Sequence, residues 1–66
     1  MKMIYTIEDE KIGKKVVLTP LENDEFNRVK EEYFEFYKSC NKWRQIGGYF
    51  LCSKEYIKEK YGIIID

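Results

Sequence analysis

The chain predicts an α+β domain: a small, mainly antiparallel sheet, made of an N-terminal hairpin plus one or two later strands, packed on one long helix with a short second helix. Three observations predict it. An alternating run at Met3, Tyr5 and Ile7 and a β-branched run over Lys15-Val16-Val17-Leu18-Thr19 flank a polar turn, a helix-start signature stands at Thr19-Pro20-Leu21-Glu22, and a second capped segment runs from Ser53 to Gly62. Sixty-six residues suit one domain spanning 1–66, and a chain this short buries only about 60% of the surface that it exposes when unfolded.

The hairpin is placed over residues 2–19. Met3, Tyr5 and Ile7 alternate with their neighbours, Lys15-Val16-Val17-Leu18-Thr19 forms a second extended run, and Gly13 lies in the polar stretch between them. The long helix is placed over 20–41. Thr19 would cap it, Pro20 would take the first helical position, and Glu22 would complete a capping box. Phe26, Val29, Tyr33, Phe36, Tyr37 and Cys40 then recur as a single stripe at about 100° per residue, with Asp24 and Arg28 spaced as a helical ion pair. Asn41 would supply a left-handed cap.

Residues 43–52 read as a strand region in which Gly47-Gly48 makes a turn or a bulge. A short helix over 54–61 begins at an N-capping Ser53 and stops at Gly62, with Ile63 closing the hydrophobic contact of its C-terminus. Residues 63–66 read as a terminal strand. Its three isoleucines, Ile63, Ile64 and Ile65, are apolar on both faces and so raise the expectation of a homodimer.

Composition excludes more functions than it suggests. Twelve basic residues balance twelve acidic ones, and histidine is absent. Ser-His and Cys-His nucleophile systems are therefore ruled out, and acid-base work would fall to carboxylates, Tyr or Lys. The pairs Glu31/Glu35 and Glu55/Glu59 read as solvated helix faces, and Glu8/Glu10 lies by a turn, so no catalytic residue is assigned. Two cysteines, Cys40 and Cys52, without Cys-x-x-Cys spacing, read as reduced buried thiols. Neither a structural metal nor a cofactor is expected, because the Asp9/Glu10 turn lacks the ligand spacing of a calcium loop and Ser53-Lys54 has the wrong order for a phosphate-binding loop. No long apolar run follows Met1, so the expectation is a cytoplasmic protein with neither leader nor membrane span.

Eleven aromatic residues remain to be explained. A core this small has more large rings than it needs, and surplus aromatic surface is raw material for binding. The expectation is a non-enzymatic protein-interaction module acting by surface occupation. Ten lysines against two arginines, with no alanine, suit an AT-rich genome, so the concrete version is a phage or mobile-element inhibitor of a host protein.

Phe34, off the helical stripe, Trp43 and Tyr49 are the candidate apolar anchors. Arg44 adds a directional contact, and a Glu31/Glu35/Lys38 ridge would set charge complementarity with the partner. Two alternatives stand beside this. Lys42-Trp43-Arg44-Gln45 with Tyr49 and Phe50 also suits a single-stranded nucleic-acid binder, although the neutral charge balance argues against it. A pocket walled by tyrosines would suit a small-ligand or nucleotide-sequestering protein.

Overall fold

In the computed structural model, which describes residues 3–65, four antiparallel strands lie side by side in chain order: β1 (Tyr5–Asp9), β2 (Lys14–Pro20), β3 (Val29–Tyr37) and β4 (Lys42–Cys52). One helix, α1 (Lys54–Tyr61), follows β4. No long helix packs on the sheet, which overturns the α+β arrangement expected around residues 20–41.

The reason lies in residues 20–37. Asn23 and Asn27 both take the left-handed conformation, at φ 56° and 52°. Asn tolerates it, but it stops a right-handed helix. The loop between them closes on itself: Leu21 N–H donates to the Arg28 carbonyl at 3.0 Å, and Asn27 N–H donates to the Asp24 carbonyl at 3.1 Å. Beyond the loop, Val29, Tyr33, Phe34, Phe36 and Tyr37 are β-branched or aromatic residues, which fit a pleated sheet better than a helix. β3 then pairs along its length with β2, setting Val16 against Tyr33 and Leu18 against Glu31.

Thr19 and Pro20 accordingly end a strand and do not begin a helix. β2 is a central strand, yet Pro20 is harmless there, because β1 pairs only as far as Tyr5 opposite Leu18 and leaves nothing for the missing N–H to bond. The 100° stripe dissolves with the helix. Tyr33 and Tyr37 share one face of β3, whereas Phe36 lies on the other, and Phe26 is exposed on the loop with the Arg28 guanidinium 5.3 Å from its ring. The Asp24–Arg28 pair does form, inside the loop. Arg28 donates from Nε and a terminal nitrogen to the two carboxylate oxygens, at 3.1 and 2.8 Å, and from its backbone N–H at 2.9 Å.

Gly47 and Gly48 sit within one continuous β4. The register slips between Glu32 and Phe34, where Tyr49 and Gln45 are their partners on β4, so the extra residues form a bulge and Gly47 takes φ 68°. Asn41 is left-handed, at φ 53°, but in the β3–β4 turn. Cys40 lies in the same turn and is exposed, which corrects its reading as a buried thiol; Cys52, at the end of β4, is half-buried, and both thiols are free.

Ser53 caps α1, its hydroxyl accepting from Tyr56 N–H at 3.1 Å. Gly62, at φ 72°, ends it with its own N–H donating to the Lys58 carbonyl at 2.8 Å. α1 returns over the sheet and buries Ile57 against Leu18, Val29 and Ile65, with Tyr5, Ile7, Val16, Cys52, Tyr61 and Ile63 packed around them. Residues 63–65 form no strand. Ile65 joins the core and Ile63 is half-buried, so Ile64 alone of the three is exposed; Asp66, at the end of the expected terminal strand, lies outside the described residues. Among the described residues no helix is long and apolar enough to cross a membrane.

Candidate functional site

Strand alternation divides the side chains between a covered and an open face. Val16, Leu18, Val29, Glu31, Tyr33, Phe50 and Cys52 belong to the face over which α1 folds. Lys15, Lys30, Glu32, Phe34, Phe36, Trp43, Tyr49 and Leu51 belong to the other, over which no element lies among the described residues.

The covered face holds one buried charge. Glu31 is only 2% exposed. Its Oε2 accepts from the Tyr61 hydroxyl and from Lys60 Nζ at 3.3 Å, and the Cys52 thiol points at Oε1 from 3.8 Å. Lys60 also donates to the hydroxyls of Tyr33, at 2.7 Å, and Tyr56, at 3.2 Å. Its three N–H groups thus find three acceptors, while the rings of Tyr33, Tyr56 and Tyr61 surround the ammonium with centroids 5.3 to 5.4 Å away.

This cluster is locked in unreactive protonation states. Burial raises the Glu31 pKa, but hydrogen bonds from Tyr61, Tyr33 and Lys60 outweigh it and hold the carboxyl below its ordinary value. The Tyr33 hydroxyl, then the Tyr56 hydroxyl and the Glu31 carboxylate, hold the Lys60 ammonium well above its own against some desolvation. Burial, followed by the bond to Glu31, pushes the Tyr61 phenol up, and burial beside the Glu31 charge does the same to the Cys52 thiol. At neutral pH the group therefore offers an ionised carboxylate, a protonated amine, a protonated phenol and a protonated thiol. None is poised as a nucleophile or general acid.

The exposed apolar surface concentrates on β4. Eight of its eleven residues are exposed, and Tyr49, Phe50 and Leu51 in succession are 58%, 59% and 42% exposed. Alternation sends Phe50 to the helix side and its two neighbours to the open side, so both faces of one edge strand are greasy at the same level. Next to Phe50, a hollow of about 500 Å³ is walled by Leu51 and Cys52 of β4, Tyr33 of β3 and Tyr56 of α1.

The expected binding residues divide accordingly. Phe34, Trp43 and Tyr49 do share the open face, with Lys15 Nζ 5.4 Å from the Phe34 ring centroid and 4.4 Å from that of Trp43, and Lys30 Nζ 5.4 Å from that of Tyr49. Arg44 lies on the opposite face, its guanidinium 5.4 Å from the Tyr37 ring. The Glu31/Glu35/Lys38 ridge does not exist, because it required a helix. Glu31 is buried, Glu35 pairs with Lys14 at 3.3 Å, and Lys38 is exposed in the β3–β4 turn.

Sequence reasoning missed Leu51 and the Lys60 cluster, and named Phe50 only for the nucleic-acid alternative. Three large apolar residues in a row on an extended segment were a readable sign of a strand exposed on both sides, and Tyr56 and Lys60 stand one helical turn apart. Nothing in the sequence signalled Glu31, whose burial depends on α1 folding back. No family model matches this chain, and no curated protein or solved structure shows detectable similarity to it.

Proposed function

We propose that this domain is a non-enzymatic protein-interaction module that accepts an extended segment of a partner protein along the outer edge of β4. The observation that carries the reading is the succession Tyr49-Phe50-Leu51, exposed on both faces of a strand that has no neighbour on its outer side among the described residues. A ligand lying on one face of the sheet would cover Tyr49 and Leu51 but leave Phe50 wet. A strand added alongside covers all three, satisfies the open backbone groups, and directs alternate side chains toward the hollow beside Phe50. The lack of a group in a reactive protonation state in the Glu31 cluster supports a binding role over a catalytic one. Charge favours a protein partner over nucleic acid, since Lys15 and Lys30 on the open face are balanced by Glu8 and Glu32.

The test is selection of binding peptides from a random display library, followed by hydrogen exchange on the complex. Selected peptides should be extended and rich in β-branched and aromatic residues, and should slow exchange at backbone amides of Tyr49 to Cys52. Tight binders that leave those amides unprotected would refute strand addition. Protection that rises with protein concentration in the absence of peptide would instead make a second copy of this chain the occupant.

A further inference from the structure

At the other end of the open face the structure shows a slot of about 300 Å³ lined by Glu8, Glu10, Gly13, Phe36 and Trp43. Its construction follows from the register. Phe36 and Trp43 are a cross-strand pair with ring centroids 5.3 Å apart and planes inclined at 55°. Phe36 N–H donates to the Gly13 carbonyl at 2.8 Å, which brings the β1–β2 turn level with that pair. Gly13 takes φ 63°, and a Cβ there would stand 3.6 Å from the Phe36 Cβ, so its lack of a side chain leaves that approach uncrowded. The lining thus combines two aromatic rings with two carboxylates.

We propose that this slot receives a guanidinium group, the side chain of an arginine carried by the partner protein. The chemistry of the slot selects a cation. Neither the Glu8 nor the Glu10 carboxylate forms an ion pair among the described residues, in contrast to Glu31, Glu32 and Glu35. The Trp43 ring already attracts positive charge, since Lys15 Nζ stands 4.4 Å from its centroid without lining the slot. Guanidinium fits better than ammonium, because it stacks flat on a ring while its planar fork offers paired N–H donors to carboxylates. A protein-borne arginine fits better than the free amino acid, whose own carboxylate Glu8 and Glu10 would repel. Only the source of the arginine rests on the protein-binding reading above.

Trp43 is the sole tryptophan, so its fluorescence reports the slot directly. The experiment titrates the intact chain with acetyl-Gly-Arg-Gly-amide and, in parallel, with the uncharged citrulline peptide and with free arginine. The arginine peptide should give a saturable change, the citrulline peptide none, and free arginine a weaker one. Glu8→Gln combined with Glu10→Gln should weaken the peptide about fivefold, and Phe36→Leu, which keeps the reporter, should weaken it as well. Equal response to citrulline, no saturable change, or an unaltered affinity in the Glu8→Gln/Glu10→Gln variant would overturn the proposal. Since the β4 edge takes no part in this titration, its failure would remove the slot and leave strand addition to its own test.

Discussion

Replacing Tyr61 by Phe deletes one hydroxyl and keeps the ring that packs against the core, so it isolates the bond between that hydroxyl and the buried Glu31 carboxylate. A hydrogen bond to a charged group contributes about 1.5 to 3 kcal/mol, more than a neutral one because the ion loses solvation if the donor disappears. Glu31 is 2% exposed, so water reaches it poorly, and Lys60 and the Tyr33 hydroxyl remain to bond it. A loss of about 2 kcal/mol at neutral pH is the expected outcome. Against a total of about 3 to 5 kcal/mol for a domain of this size, that is a large share. With a urea dependence of about 1 kcal/mol per molar, the unfolding midpoint should fall by about 2 M.

The pH dependence has a definite sign. The folded Glu31 pKa lies below its ordinary 4.5, so its contribution is fully present above that value and is lost as pH falls through the folded pKa. Once Glu31 is protonated only a neutral bond of about 1 kcal/mol remains, so the gap between parent and variant should narrow toward roughly half as pH falls below 4.5 and through the folded value. Lys60 and Tyr61 have raised folded values, so their contributions are intact below their ordinary 10.5 and 10.0 and are lost as pH climbs through the folded values. Urea titrations followed by far-ultraviolet circular dichroism at pH 7, at pH 10.5 and in steps down the acid limb make the comparison. A loss below about 0.5 kcal/mol at pH 7, or a gap that stays constant all the way down the acid limb, would refute the reasoning.

Leu18→Ala empties the centre of a four-residue core in which Leu18 is fully buried, a change worth about 2 to 5 kcal/mol, so circular dichroism at 25 °C should show a largely unfolded chain. Ser53→Ala removes the hydroxyl that accepts from Tyr56 N–H and should cost about 1 kcal/mol in urea unfolding, whereas Ser53→Asp should keep nearly all the stability by capping in the same way.

Local chemistry was legible wherever neighbouring residues decide conformation. Ser53 and Gly62 bracket α1 because a hydroxyl at the N-cap and a residue free to adopt positive φ at the C-terminus act within one helical turn. The β1–β2 hairpin was readable from alternation and a glycine-bearing turn. The same method failed over 20–41. Thr-Pro-x-Glu suits a helix start and a strand end alike, and a spacing of three and four residues between apolar positions overlaps with strand alternation whenever both faces are partly covered, as they are in β3. Phe34 was singled out for lying off a helical stripe, and Trp43 and Tyr49 as rings of a strand region; the three share a surface for a different reason, the parity of two paired strands.

The amino-acid sequence by itself determined the aromatic surplus, the absence of histidine chemistry, the neutral charge balance and the left-handed turns at Asn41 and Gly62. Each depends on composition or on a few adjacent residues. Only the tertiary structure decided that residues 29–37 are a strand, that Glu31 is buried among Lys60 and tyrosines, and that β4 is left greasy on both sides at an open edge. Burial and pairing are relations between segments distant in the chain: β3 extends because β2 and β4 supply backbone partners on either side, and Glu31 is enclosed because a helix more than twenty residues later folds back over it.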